Sequence, residues 1–360
     1  MTKEDLYKKI VEMVPVRSDE KETFRETVRR YLKDYQKNLE ELDAADKTID
    51  WDSVVGRVNQ LCDAINRAIK VEYEGTRHSA YIAIKNQLDG YKTQNVEIEG
   101  LAYNRNIVTV STGMIAYRMR QVKLEEQHSL KRGDLFHIPM DEKGKVGTQR
   151  YSVPGYPCLY LSNKVYGCWE EMGRPVFGTI MVSKLISQQE FRVLDLRIPS
   201  EVAWREDMKR CVVFFPLVIA SMVRVKNAKD SYKPEYLIPQ LLTEWVISRN
   251  RNSKPDEEII GILFTSTRKN KDFDYPDNSY DNYAIPVLKP LSSKKYCRRL
   301  SELFHLSVPS YYDLEVLKHG SGISGGIYDL GKEPQEENYR TSHFGEMEVF
   351  LSNAIVDKVE

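Results

Sequence analysis

The chain has 360 residues, 41% hydrophobic and 29% charged, a globular balance with room for two or three units. Lys plus Arg and Asp plus Glu both number 53, so no overall basic field exists to concentrate nucleic acid. Five cysteines, none in a CxxC pair, and an N-terminus "MTKEDLYKKIVEMV" without an apolar h-region predict reduced thiols in a cytoplasmic protein. The most apolar run, "CVVFFPLVIASMV" (211–223), is too short for a bilayer span and predicts a buried helix.

Residues 1–90 read as helices. Phe24, Val28, Tyr31, Leu32, Tyr35 and Leu39 form one apolar stripe. Val54, Val58, Leu61, Cys62, Ile65 and Ile69 form another, with Asp50 or Asp52 able to cap the second helix. After "QLDGYKTQN" the pattern shifts to β-branched and alternating residues. Strands are predicted at 106–111, 114–122, 158–161, 176–182, 191–196, 259–264 and 283–287. Helices at 201–226 and 235–250 interrupt them irregularly, which indicates α+β rather than a βαβ repeat. The tail from about residue 320 reads as loop and appendage. The predicted organisation is a helical N-terminal region (1–100), a catalytic domain (101–315) and a C-terminal appendage (316–360).

The segment "RYSVPGYPCLYLSNKVYGCWEEMGRP" (150–175) combines turn chemistry, a strand and a helix that Ser162 or Asn163 could cap. On that helix Val165, Cys168, Trp169 and Met172 share a face. Glu170 points nearly opposite this stripe, whereas Glu171 lies closer to its edge and is better placed to line a cleft. The strand delivers Tyr160, and Arg150 enters from the preceding loop. The same spacing also suits a surface ion pair between Arg150 and Glu171, with Tyr160 in the core.

These residues resemble the RES domain, a family named for an arginine, a glutamate and a serine. The pattern runs Arg150-Tyr151-Ser152, Pro154-Gly155, Leu159-Tyr160-Leu161 and Glu171. "AYRMR" (116–120) is similar to the family's early strand with its own arginine, Arg118. "GILFTSTR" (261–268) is similar to the later strand that ends in the serine, Ser266, although the family more often has Tyr-Pro before it. Thr265 and Thr267 are the neighbouring alternatives.

The resemblance covers roughly residues 110–290. It implies an α+β fold like that of ADP-ribosyltransferase toxins: short mixed strands with inserted helices, preceded here by the helical N-terminal region. It implies a bacterial toxin–antitoxin enzyme that consumes NAD as substrate, acting as an NAD phosphorylase, a glycohydrolase or an ADP-ribosyltransferase. Inorganic phosphate is a possible co-substrate, no metal is called for, and an antitoxin protein would restrain the activity. By this likeness Glu171 is the catalytic carboxylate beside the ribose. Arg118 and Arg150 hold anionic groups, and one of them could orient Glu171 through an ion pair. Tyr160 shapes the nicotinamide pocket, and Ser266 contacts the ribose or the acceptor. The alternative is a non-catalytic module of the same fold that docks a partner through its helical N-terminus.

Other candidates carry less. "GSGISGG" (320–326) lacks the P-loop Lys-Ser/Thr. The six histidines form no metal-ligand spacing. Cys158 or Cys168 with His137 would suggest a thiol nucleophile, but both thiols fall on apolar faces and read as packing groups. "KKYCRR" (294–299) reads as a solvated helix start, and "IPQLLTEWVISR" (238–249) as a core helix whose Glu244 could approach the site.

Overall fold

Thr2 and Thr23 each begin a helix for the same reason. The threonine hydroxyl accepts the N–H three residues on, and an acid at that position reaches back to the threonine N–H. The resulting helices are α1 (Lys3–Glu12) and α2 (Phe24–Glu40). Asp50 caps α3 (Trp51–Tyr73) through the N–H of Ser53, and α4 (Arg77–Asp89) follows. Both apolar stripes face inward, with Tyr31 at the margin of its own. The computed structural model describes residues 1–42, 50–92, 97–101, 106–251, 253–254, 257–268, 280–288, 295–311, 339–340 and 342–359. The glycine-rich 320–326 stretch lies outside them.

Strands β1 (Gly90–Lys92) and β2 (Glu97–Glu99) form a separate pair. The main sheet contains β3 (Ile107–Val110), β4 (Ile115–Gln121), β5 (Cys158–Ser162), β6 (Ile180–Ser187), β7 (Phe191–Leu196), β8 (Ile259–Thr265), β9 (Asp281–Pro286), β10 (Phe304–Ser307), β11 (Ser310–Tyr311) and β12 (Val356–Asp357). Its order is β12-β10-β6-β4-β5-β9-β8-β7-β3, with β11 pairing β6. Only the β7–β8 pairing is parallel. This is the mixed α+β architecture expected, a helical N-terminal region followed by a mixed sheet.

Two expected elements differ in extent. Residues 177–179 turn before β6 starts, because Thr179 returns both its N–H and its hydroxyl to the carbonyl of Val176. The helix expected over 201–226 divides into α6 (Glu201–Glu206) and α7 (Met208–Ser221). Asp207 is the break: its non-helical backbone (φ −150°, ψ 66°) ends α6, and its carboxylate caps α7 at the N–H of Arg210.

Helix α7 contains Pro216. Proline has no N–H, so the carbonyl of Val212, four residues earlier, loses its donor within the helix. The buried hydroxyl of Tyr35 on α2 fills that place at 2.7 Å. Helices α2 and α3 pack on α7, and α4 packs on α8 (Leu237–Arg249). One apolar core therefore runs from the N-terminal helices through α7 and α8 to strands β7, β8 and β9. Glu244 of α8 faces Arg77 at 2.6 Å and does not line the cleft described below.

After α9 (Arg298–Leu303), the chain returns as strands β10 to β12 and helix α10 (His343–Ser352). Residues 342–359 are thus integral to the fold: β12 extends the sheet, and α10 lies against α5 (Val165–Glu171). Among the described residues no helix is long and apolar enough to cross a membrane.

Candidate active site

Strands β4 and β5 share a single register pair, Tyr117 with Ser162. Past it they separate, and the guanidinium of Arg118 bridges the gap by donating to the carbonyl of Tyr160 at 3.0 Å. A cleft of about 940 Å³ opens at this split, a size suited to a cofactor-sized ligand. Its lining contains seven Lys and Arg side chains against two Glu. A chain neutral as a whole thus presents a strongly positive cavity, which selects anionic ligands.

Helix α5 brings Glu171 to this cleft. The helix stops immediately afterwards: Arg174 N–H reaches the carbonyl of Trp169, and Gly173 N–H that of Glu170, both at 3.0 Å. That closure needs a left-handed residue, which Gly173 supplies at φ 81°. At its other end neither Ser162 nor Asn163 is the cap. The N–H of Val165 donates instead to the carboxylate of Glu348 on α10 at 2.9 Å, and Lys164 pairs with the same group at 3.2 Å.

The two adjacent glutamates have different surroundings. Glu170, expected opposite the packed face, is buried beside Tyr166, on whose ring Phe344 of α10 and Tyr280 pack. Its carboxylate accepts from the Tyr166 hydroxyl and pairs with Arg174 at 2.9 Å. Glu171 is exposed to the cleft. Its carboxylate accepts from the Ser266 hydroxyl and from the Asn282 amide at 3.1 Å. These partners are neutral, and among the described residues no guanidinium pairs with Glu171, so the expected orienting ion pair is absent.

Of three neighbouring hydroxyls, only that of Ser266 meets Glu171. Ser266 lies just past β8, and its oxygen also accepts the N–H of Arg268 at 3.0 Å. Thr265 is engaged with Asp281 and with the N–H of Ile198. Thr267 accepts from Arg150 at 3.4 Å.

Arg118 and Arg150 both line the cleft, and neither has a carboxylate partner among the described residues. Burial holds the Arg118 guanidinium below its ordinary pKa, and its Nε has no acceptor among the described residues. Arg150 donates to the carbonyl of Ser221 at 3.0 Å and lies over the ring of Tyr236, 5.2 Å from its centroid. Two positive groups held by carbonyls and a ring keep their charge available to an anion. Tyr160 also lines the cleft, but its hydroxyl is occupied by Ser152 at 2.9 Å and by the N–H of Tyr151 at 3.1 Å. It fixes the loop that carries Arg150.

Asn282 and Tyr236 escape sequence reasoning. Asn282 sits in "SYDNYAIP", where an asparagine reads as turn chemistry. Tyr236 stands at the start of an apparent core helix.

The thiol alternative has no support in the geometry. Burial pushes Cys158 and Cys168 up to about 12. His137 is buried, with Nδ1–H donating to the carbonyl of Ile138 and Nε2 accepting the N–H of Cys297, each at 2.8 Å. Burial lowers its pKa to about 4, against about 6.5 when unfolded. The unfolded chain thus binds the extra proton first, and stability should fall as pH drops from about 6.5 toward 4. Denaturant midpoints across that range should flatten in a His137→Gln variant, whose amide can supply both a donor and an acceptor. An unchanged slope would refute this assignment. Among the described residues no cluster of His, Cys, Asp and Glu could hold a metal.

No family model matches the chain, and no solved structure does. A Bacillus subtilis (strain 168) protein described as "Putative toxin YopC" is 30% identical over 337 residues, covering 88% of this chain and 74% of that protein. Identity at this level along nearly the whole length, spanning the helical region, the sheet and the cleft residues, places this chain in the same family as YopC.

Proposed function

We propose that this protein is a toxin-type enzyme of the RES kind that consumes NAD by cleaving the nicotinamide–ribose bond. The observation that carries the reading is the placing of Glu171. It is held by Ser266 and Asn282 in a cation-lined cleft that also contains Arg118 and Arg150, which have no carboxylate partners among the described residues. The description of YopC as a toxin agrees with it.

The chemistry follows from where charge develops. As the bond breaks, its electron pair moves to the pyridinium nitrogen and nicotinamide leaves neutral. Positive charge then grows on the ribose C1′ and its ring oxygen. A carboxylate beside C1′ stabilises that charge. Ser266 and Asn282 hold Glu171 without neutralising it, whereas a guanidinium partner would cancel the field the reaction needs. Arg118 and Arg150 bind the pyrophosphate with planar, multi-donor forks. Water, inorganic phosphate or a protein side chain then attacks C1′. Such an activity in the cytoplasm requires restraint, which an antitoxin partner would supply.

Incubating the protein with NAD should release nicotinamide. ADP-ribose as co-product identifies hydrolysis, ADP-ribose 1″-phosphate identifies phosphorolysis, and a modified protein identifies transfer. Absence of nicotinamide with water, inorganic phosphate and protein each supplied as acceptor would refute the reading and favour a non-catalytic docking module.

A further inference from the structure

Asn282 lies on β9 between Ser162 of β5 and Phe264 of β8, so strands on both sides fix its backbone. Its side chain is buried yet belongs to the cleft lining. The orientation of the amide is dictated by chemistry. A carboxylate only accepts hydrogen bonds, so the NH₂ group has to face Glu171, at 3.1 Å. The carbonyl oxygen Oδ1 is thereby turned away from Glu171. It is buried and, among the described residues, has no hydrogen-bond partner, an arrangement that is costly unless a ligand completes it.

We infer that Asn282 is a specificity-determining residue: one end of its amide positions Glu171, and the other accepts a hydrogen bond from a substrate donor beside the reacting sugar carbon. This inference rests on the proposed cleavage of NAD. NAD offers two such donors, the carboxamide N–H of the leaving base and the ribose 2′-hydroxyl. Oδ1 is an acceptor, so a group that can only accept gains nothing there. Substrates lacking the donor leave the oxygen buried and unmet, and are rejected by on the order of tenfold or more.

The test compares NAD with two analogues. The 3-acetylpyridine analogue replaces the carboxamide NH₂ with a methyl group, and the 2′-fluoro analogue replaces the ribose hydroxyl with a group that cannot donate. kcat/KM and calorimetric Kd are measured for wild type, Asn282→Ala and the near-isosteric Asn282→Leu, with folding checked by circular dichroism. Removing the amide slows every substrate through Glu171. Only the ratio between substrates reports Oδ1. The expected result is that the wild-type preference for NAD over one analogue collapses by about tenfold in both variants, and the analogue affected identifies the donor. Ratios equal in wild type and variants, with NAD still cleaved, would overturn the role of Oδ1 and leave the proposed activity standing. If NAD binds without being cleaved, the activity is refuted and the Kd ratios decide the inference in the same way. If NAD neither binds nor reacts, both are overturned.

Discussion

Replacing Glu171 with Gln should reduce nicotinamide release by about 10²–10³-fold while the protein remains folded. Gln keeps the size of the side chain and its carbonyl can still accept from Ser266. What it removes is the negative charge that, in the proposed cleavage, stabilises the developing ribose cation. The loss should fall on kcat more than on KM, because the charge matters most once the bond is breaking. The melting temperature should change little, since Glu171 is exposed to the cleft and is not part of the core. Undiminished turnover by the folded variant would remove Glu171 from the mechanism. The same substitution at Glu170 acts differently, because that carboxylate is buried against Tyr166 and Arg174. Loss there would register as instability and would not be confined to kcat.

Tyr35→Ala should destabilise the protein by about 3–5 kcal/mol, as expected for emptying a buried aromatic site. Tyr35 is fully buried, and its ring lies 5.4 Å from that of Phe215. The hydroxyl can be tested separately. Tyr35→Phe leaves the Val212 carbonyl unmet beside Pro216 and should cost about 1–3 kcal/mol. In a Pro216→Ala background the helix regains its own N–H, so the same change should cost markedly less. Urea titrations of the four proteins give the coupling directly. Independent effects would mean that the Tyr35 hydroxyl does not replace the missing helix donor.

The strands over 107–121 and 191–196 and the helices over 51–73 and 237–249 were legible because each repeats its apolar residues at its own period. That Glu171 lines a cleft was legible too, whereas the burial of Glu170 was not. Helical spacing alone puts Glu170 toward solvent, and the packing of Phe344 and Tyr280 around its partner Tyr166 leaves no local signal. Residues brought from far along the chain leave no local signal. Glu348 caps a helix 183 positions earlier, and Asn282 reaches Glu171 across 111. Short edge strands such as β11 and β12 have too few residues to display a period. The positive cleft was hidden by composition, since equal totals of charge say nothing about where the cations gather.

The dependence of α5 on Glu348 also bears on the order in which the molecule is made. Ribosomes deliver Glu171 long before the acid that completes its helix. A nascent chain halted before Phe344 carries Glu171 on a helix that lacks both the cap at its first turn and the aromatic packing of Phe344. The helix that carries Glu171 is thereby completed only once synthesis has passed Glu348, and a prematurely terminated product would lack that cap.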